Sequence, residues 1–238
     1  MNIEHKPNMH QYQTIMPKDC SLIKAITPYV YLCQHVKYGE CIIKFALVFQ
    51  HRIALRNEIH FYSDTPLFRH RLLEHGYFNL NKGQQGIFLI QPHFQGTPLN
   101  LAHVSDSKII TSLEHQIQSL HNLGFIHADI KPSNIIVTEQ SATLIDFGTV
   151  CPINSKVTSS CTQLTPRYAS FEQRHGHQLT AYTDWVALAK TFRFLKETNM
   201  VTVHIPTRYE HLIETDLAKI HAFSKGSLNF ELGHDMLT

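Results

Sequence analysis

The sequence predicts an α+β fold in two lobes, a small β-rich half followed by a mainly helical half. Three observations carry that reading. Tyr29-Val30-Tyr31-Leu32-Cys33 and Cys41-Ile42-Ile43-Lys44-Phe45-Ala46-Leu47-Val48-Phe49 are rich in β-branched and aromatic residues, and they flank the hairpin-turn segment Lys37-Tyr38-Gly39-Glu40. From Ile109 onward, apolar residues recur at helical spacing instead. The length, 238 residues, suits one large domain or two small lobes sharing a cleft.

The elements follow in order. Residues 1–20 lack periodicity and read as a loose arm. After the two strands, residues 51–62 read as a helix that ends before Ser63-Asp64-Thr65-Pro66. Short strands are expected at Tyr77–Leu80 and Gly86–Gln91. The second half opens with a helix capped by Asp106 or Ser107, with Ile109, Leu113, Ile117 and Leu120 on one face and Gly124 as its stop. Strands are expected at Ile135–Val137 and Ala142–Ile145, then a Ser/Thr-rich loop from Asn154 to Thr165. Trp185, Leu188, Phe192 and Leu195 mark a second helix. A third starts near Pro206, with Tyr209, Leu212, Ile213, Leu217 and Ile220 as its apolar positions and Gly226 as its end.

Bulk properties exclude several classes. A net charge of +2 gives no electrostatic case for nucleic acid or a membrane surface. Five cysteines, odd in number and without CxxC spacing, read as reduced thiols of a cytoplasmic protein rather than a disulfide frame or zinc site. No apolar run reaches the ~18 residues of a membrane span, and the polar Met1–His10 stretch lacks the core of a signal peptide. The 18 histidines are scattered. None sits in an HExxH frame; His175 and His177 could chelate a metal, but they read better as a solvated loop pair.

The candidate chemistry lies in a few oxygen donors and one lysine. Asp129, Asn134 and Asp146 each flank a short apolar strand, which can hold an oxygen ligand rigidly. Magnesium takes oxygen ligands and keeps waters unless phosphates replace them, so two ligands plus a separate carboxylate suit a metal-phosphate site with its own base. Lys44 interrupts an apolar strand, and a buried lysine is costly unless paired. Glu58, on the next helix, is the natural partner. These needs match phosphoryl transfer, where catalysis is mostly positioning and charge stabilisation.

Over roughly residues 22–195 these features resemble the protein-kinase superfamily. His127-Ala128-Asp129-Ile130-Lys131-Pro132-Ser133-Asn134 resembles the catalytic loop, and Asp146-Phe147-Gly148 resembles the metal-binding motif. Cys41-Ile42-Ile43-Lys44 resembles the third-strand lysine motif, with Glu58 as its helix partner. Thr165-Pro166-Arg167-Tyr168-Ala169-Ser170-Phe171-Glu172 is similar to the end of an activation segment, Asp184-Trp185-Val186-Ala187-Leu188 to the helix beneath the catalytic loop, and Gln91-Pro92-His93-Phe94 falls at the adenine-contacting hinge. The likeness implies a bilobal kinase-like fold: an arm over 1–20, an N-lobe over 21–95 and a shortened C-lobe over 96–238. It implies ATP and magnesium as cofactors. Asp129 would be the base, Asn134 and Asp146 the metal ligands, Lys44 with Glu58 the phosphate grip, Val30 the residue capping adenine, and His127 structural. Lys131 and Thr165 are implied to serve transfer to serine or threonine hydroxyls of a protein.

Four departures qualify the likeness. Ile23-Lys24-Ala25-Ile26-Thr27-Pro28 falls where a glycine-rich phosphate loop belongs and has no glycine, so Lys24 and Thr27 would have to substitute or nucleotide binding is weakened. Ala128 replaces the arginine that pairs with a phosphorylated loop residue, so activity is expected not to need phosphorylation between Thr149 and Thr165. Ser170-Phe171-Glu172 replaces Ala-Pro-Glu, with Arg193 and Arg208 as the candidate partners of Glu172. About 40 residues follow the Trp185 helix, so the floor of the second lobe is expected to be reduced or completed by a second copy or a partner protein. The compactness resembles bacterial or viral members, including proteins delivered into a host cell. The alternatives are a small-molecule kinase similar to aminoglycoside phosphotransferases, favoured by the short second lobe, and a pseudokinase module, favoured by the missing glycine loop.

Overall fold

The computed structural model describes residues 15–79, 85–156 and 164–225. The first lobe is a five-stranded antiparallel sheet of β1 (Cys20–Thr27), β2 (Val30–His35), β3 (Gly39–Ala46), β4 (Glu74–Asn79) and β5 (Gln85–Pro92), in the order β1-β2-β3-β5-β4. Directly opposed residues share a face. Val30, Lys44 and Leu89 therefore line one side, as do Leu32, Ile42 and Gln91; Tyr31, Ile43 and Ile90 line the other. The outer side buries an apolar cluster that includes Tyr31, Cys33, Cys41, Ile43 and Phe45, with Ile15 and Met16 packed against it. The inner side continues through helix α1 (Phe49–Asp64) into the core of the second lobe, where Ala46, Leu89, Ile59, Phe147 and Leu113 belong to one cluster. Lys44 lies on this inner side, beside Leu89 of the shared cluster.

Two boundaries differ from the sequence reading. The expected phosphate loop at Ile23–Pro28 is mostly strand β1. Register breaks between Leu22 and Lys24 and between Ala25 and Thr27 turn Ile23 and Ile26 out to solvent, 49% and 53% exposed. These bulges disrupt the two-residue alternation that would have announced a strand. Second, Phe49 opens α1 instead of ending β3; Val48 is extended, and Phe49 is largely exposed. The helix stops where Thr65 precedes Pro66, because proline disfavours helical backbone at the residue before it.

The second lobe contains α2 (Lys108–Asn122), α3 (Phe171–His175), α4 (Ala181–Glu197) and α5 (Arg208–Ser224). Between α2 and α3 lie short strands β7 (Phe125–Ile126), β8 (Ile135–Val137), β9 (Ala142–Leu144) and β10 (Cys151–Pro152); β6 (Thr97–Pro98) pairs with β8. Asp106 Oδ1 accepts from Lys108 N at 2.8 Å and opens α2, and Gly124 leaves it with φ +83°. Ile109, Leu113, Ile117 and Leu120 are all buried, as are Leu188, Phe192 and Leu195 of α4. Trp185 is only partly buried and meets His121 edge-on. On α5, Tyr209 and Ile213 are buried but Leu217 is 41% exposed; the next interior position is the charged Asp216. Gly226 and Leu80 lie outside the described residues. Among the described residues no helix is long and apolar enough to cross a membrane.

Candidate active site

Lys44 leaves β3 and meets α1. Its Nζ donates to both Glu58 oxygens at 2.9 Å and lies 3.3 Å from Asp146 Oδ1. Glu58 is 1% exposed and also accepts from Tyr62 Oη at 2.9 Å and Phe147 N at 3.2 Å, so both partners of this buried pair are well satisfied. Burial favours loss of the Lys44 proton, but the Asp146 and Glu58 charges outweigh it and hold the ammonium above its ordinary pKa. Reciprocally, Lys44 holds the Asp146 carboxyl below its ordinary pKa, against the opposing effect of burial. Burial, reinforced by Glu58, keeps Tyr62 protonated far above its usual range.

Phe147 anchors the same corner. Its ring stacks on Phe61 at 5.2 Å and packs against Phe68 and His127. The buried Arg71 guanidinium sits 5.2 Å from it and donates to Leu144 O at 2.5 Å, tying the first lobe to β9. Asn57, the residue before Glu58, donates to Gly148 O at 3.0 Å and Val150 O at 2.7 Å. The sequence reading missed this residue. Its only signal was an asparagine, a poor helix former, in mid-helix.

The second half of the site hangs on Asp184 of α4. This fully buried carboxylate accepts from His127 N at 2.8 Å, Ala128 N at 2.9 Å and His121 Nε2 at 2.9 Å. Gln173 Nε2 donates to Ala128 O at 2.7 Å. The clamp holds Ala128 at φ +63°, a left-handed conformation that costs a non-glycine residue roughly 1–3 kcal/mol and persists only where the surroundings impose it. Asp146, at φ +66°, is held in the same way. The Ala128 side chain packs with Ile126, Cys151 and Leu179, so an apolar cluster stands where a guanidinium was the expected family residue. His127 is buried, donates from Nε2 to Ile145 O at 3.1 Å, and packs against Phe147, as a structural residue would.

At the centre stands Asp129. Its Oδ2 accepts from Lys131 Nζ at 2.6 Å and Asn134 Nδ2 at 3.1 Å; its Oδ1 accepts from Thr165 Oγ1 at 2.9 Å. Lys131 Nζ also donates to Thr165 Oγ1 at 3.0 Å, closing a triangle. Asn134 O accepts from Ile145 N at 2.9 Å, which seats Asn134 and Asp146 at the same end of the β8–β9 ladder. The Asn134 amide nitrogen donates to Asp129, and its carbonyl oxygen is the atom that could ligate a metal; with Asp146 it would make two oxygen ligands, a set suited to magnesium completed by phosphates and water. Val30 is partly buried on the Lys44 side of the sheet. The segment expected to serve as the hinge, Gln91–Phe94, begins in the last two residues of β5 and continues past it, where His93 Nδ1 lies 3.1 Å from Glu40.

Two expectations are corrected. Glu172 pairs with Lys219 of α5 at 2.6 Å; Arg193 faces Glu197 and Arg208 faces Glu114 instead. The expected solvated loop pair holds only in part: exposed His175 ends α3 and donates from Nδ1 to Phe171 O at 2.9 Å, and half-buried His177 stacks on the Phe171 ring. Among the described residues no group of three His, Cys, Asp or Glu side chains could hold a metal. Thr158, Ser159, Ser160, Cys161 and Thr162 lie outside the described residues.

A family model for the protein kinase domain matches residues 87–230, more than half of the chain. This chain belongs to the protein kinase family. Curated relatives of the kinase include the serine/threonine-protein kinase AfsK of Streptomyces griseus, 32% identical over 110 residues (45% of this chain, 13% of that protein). Another is serine/threonine-protein kinase D of Synechocystis, 35% identical over 117 residues (44% and 23%). The chain thus spans only a small part of the length of the curated relatives it matches. The solved structure of vaccinia related kinase 3 aligns with a TM-score of 0.55 at 13% identity, covering 85% of this chain and 71% of that one. At that identity the likeness is one of fold.

Proposed function

We propose that the kinase transfers the γ-phosphoryl group of ATP to serine or threonine hydroxyls of protein. The observation that carries this is the Asp129–Lys131–Thr165 triangle. Asp129 faces the acceptor hydroxyl, orients it and takes its proton. Lys131, already 2.6 Å from that carboxylate, is placed to neutralise the transferred group as charge develops on it. Thr165 locks the two together and belongs to the segment against which a peptide acceptor lies. Asn134 and Asp146 would hold magnesium, which when bound neutralises and orients the phosphates. Lys44, kept charged and aimed by Glu58, grips phosphate oxygens. Val30 forms part of the roof over the base. Lys24 and Thr27 pair opposite Leu32 and Val30, which puts them on the cleft side of the sheet, where they supply phosphate contacts in place of glycine-loop amides.

The test is incubation with γ-labelled ATP and magnesium, with dephosphorylated casein as acceptor, alongside Asp129→Ala and Asp146→Ala. Label on casein or on the kinase itself, reduced by roughly 10³-fold or more in both variants, supports the proposal; that loss is ~4 kcal/mol of barrier. Transfer only to an aminoglycoside would support a small-molecule kinase. Absence of nucleotide binding would support a pseudokinase, the reading that the glycine-free β1–β2 turn favours.

A further inference from the structure

The acceptor side of the site rests on a buried charge pair that the chemistry above does not use. Asp216, on α5, is fully buried. Its Oδ1 accepts from Phe171 N at 2.7 Å and its Oδ2 from Lys190 Nζ of α4 at 2.7 Å. Lys190 Nζ donates in addition to Ala169 O at 2.6 Å. One turn further along α5, Lys219 holds Glu172 and lies 4.0 Å over the Tyr182 ring. Ala169, Phe171 and Glu172 are thus gripped by backbone and side chain from below. The gripped stretch is continuous with the site: Thr165 O accepts from Tyr168 N at 2.9 Å and Ala169 N at 3.1 Å, and the Thr165 hydroxyl sits on Asp129.

Such a pair is poorly suited to being a mere stability element. Desolvating a carboxylate and an ammonium costs about what their attraction returns, and an apolar pair of similar volume often serves stability equally well. Burial does depress the Lys190 pKa, opposed by Asp216. What the pair supplies that apolar side chains could not is two directed bonds to one short segment, each partner holding the other in place. None of these bonds reaches Lys44, Glu58, Asp146 or the β-sheet.

We propose that Lys190 and Asp216 are positioning residues for the protein acceptor: they fix Ala169–Phe171 and, through the turn at Thr165–Tyr168, the surface that presents the hydroxyl to Asp129. The inference rests on the protein-kinase reading above. It makes α5 a brace for acceptor binding and leaves ATP binding independent of it.

The experiment uses the whole chain and the double variant Lys190→Met/Asp216→Asn. Changing both residues leaves no lone buried charge, and asparagine still accepts from Phe171 N. Initial rates are measured with casein varied at saturating MgATP, and with ATP varied at fixed casein. The expected result is an acceptor KM raised about tenfold, equivalent to ~1.4 kcal/mol, with the KM for ATP within about twofold of wild type. Partial unfolding would behave differently, lowering the apparent kcat by the inactive fraction and leaving both KM values unchanged. Unchanged acceptor KM, equal rises in both KM values, or failure of the double variant to fold would each overturn the proposal; the last would show that the pair holds the lobe and not the site. A wild-type protein that labels neither casein nor itself removes the kinase reading, and the brace with it, which is a distinct result from an active wild type with an indifferent variant.

Discussion

Thr165→Val is the sharpest single test of the central triangle. Valine matches threonine in shape, so the change removes a hydroxyl and little else. That hydroxyl donates to Asp129 Oδ1 at 2.9 Å and accepts from Lys131 Nζ at 3.0 Å. The Asp129 side chain is 9% exposed and Lys131 23%, so water only partly replaces the lost partner. Hydrogen bonds to charged groups contribute roughly 1.5–3 kcal/mol each. Asp129 keeps Lys131 and Asn134 as donors, so the loss should be nearer one such bond than two. A loss of ~2–3 kcal/mol of transition-state stabilisation corresponds to a fall in kcat of roughly 30–150-fold. Thr165→Ser keeps the hydroxyl and should stay within about fivefold of wild type, the allowance being for a freer rotamer. Both are read from initial rates of label transfer at saturating ATP, with melting temperatures to confirm folding. A valine variant within threefold of wild type, or a serine variant as slow as valine, would refute the role given to this hydroxyl.

Four further outcomes are expected. Lys44→Met should abolish transfer and, by leaving the buried Glu58 without its cation, cost ~3–5 kcal/mol, a fall of roughly 6–20 °C in a thermal melt. Asn57→Ala removes two bonds to the backbone after Phe147 and should cost ~1–3 kcal/mol in urea unfolding, with faster proteolytic cutting just beyond Val150 as its local signature. Burial pushes the Cys33 thiol from 9.0 up to about 12, so the unfolded chain releases that proton first; the stability this thiol contributes is complete below pH 9 and is lost as pH rises towards 12, and Cys33→Ala should flatten that part of a urea-midpoint profile. Joint replacement of Thr158, Ser159, Ser160 and Thr162 by alanine should leave the transfer rate nearly intact, and a fall of more than tenfold would show that a phosphate is needed.

The Asp129 cluster was legible in the sequence because its residues are local. Asp129, Lys131 and Asn134 lie within six positions, and a short loop between strands can only gather them. Lys44 and Glu58 were legible for another reason: a lysine inside an apolar strand demands a partner, and α1 offers one. The glycine-free segment was misread because two bulges hide the strand period. The partner of Glu172 was misread because the choice among cations depends on which face of α5 turns inward. That face carries Asp216 where hydrophobic spacing pointed to Leu217. Asn57 was invisible because its partners are carbonyls more than 90 positions away, and backbone acceptors leave no trace in a sequence.

The β1–β2 turn changes how the kinase would have to hold phosphate. Pro28 has no amide hydrogen, and the Tyr29 N–H points to Thr27 Oγ1 at 3.2 Å. The two-residue turn therefore offers almost no backbone donors to a triphosphate. What remains on that wall is side chains: the Thr27 hydroxyl, which can still donate, and Lys24. A backbone cradle binds phosphate through preorganised dipoles, whereas lysine binds it as a mobile point charge with more rotamer entropy to lose. Nucleotide affinity should then depend more heavily on the groups across the cleft that are already rigid. Lys44 is fixed by four polar contacts around Glu58, and Asp146 is held in a left-handed backbone by its neighbours. On the proposed reading, the well-satisfied Lys44–Glu58–Asp146 corner and the missing glycine loop would be two sides of one arrangement, in which phosphate recognition would rest on side chains fixed by their neighbours and not on a backbone cradle.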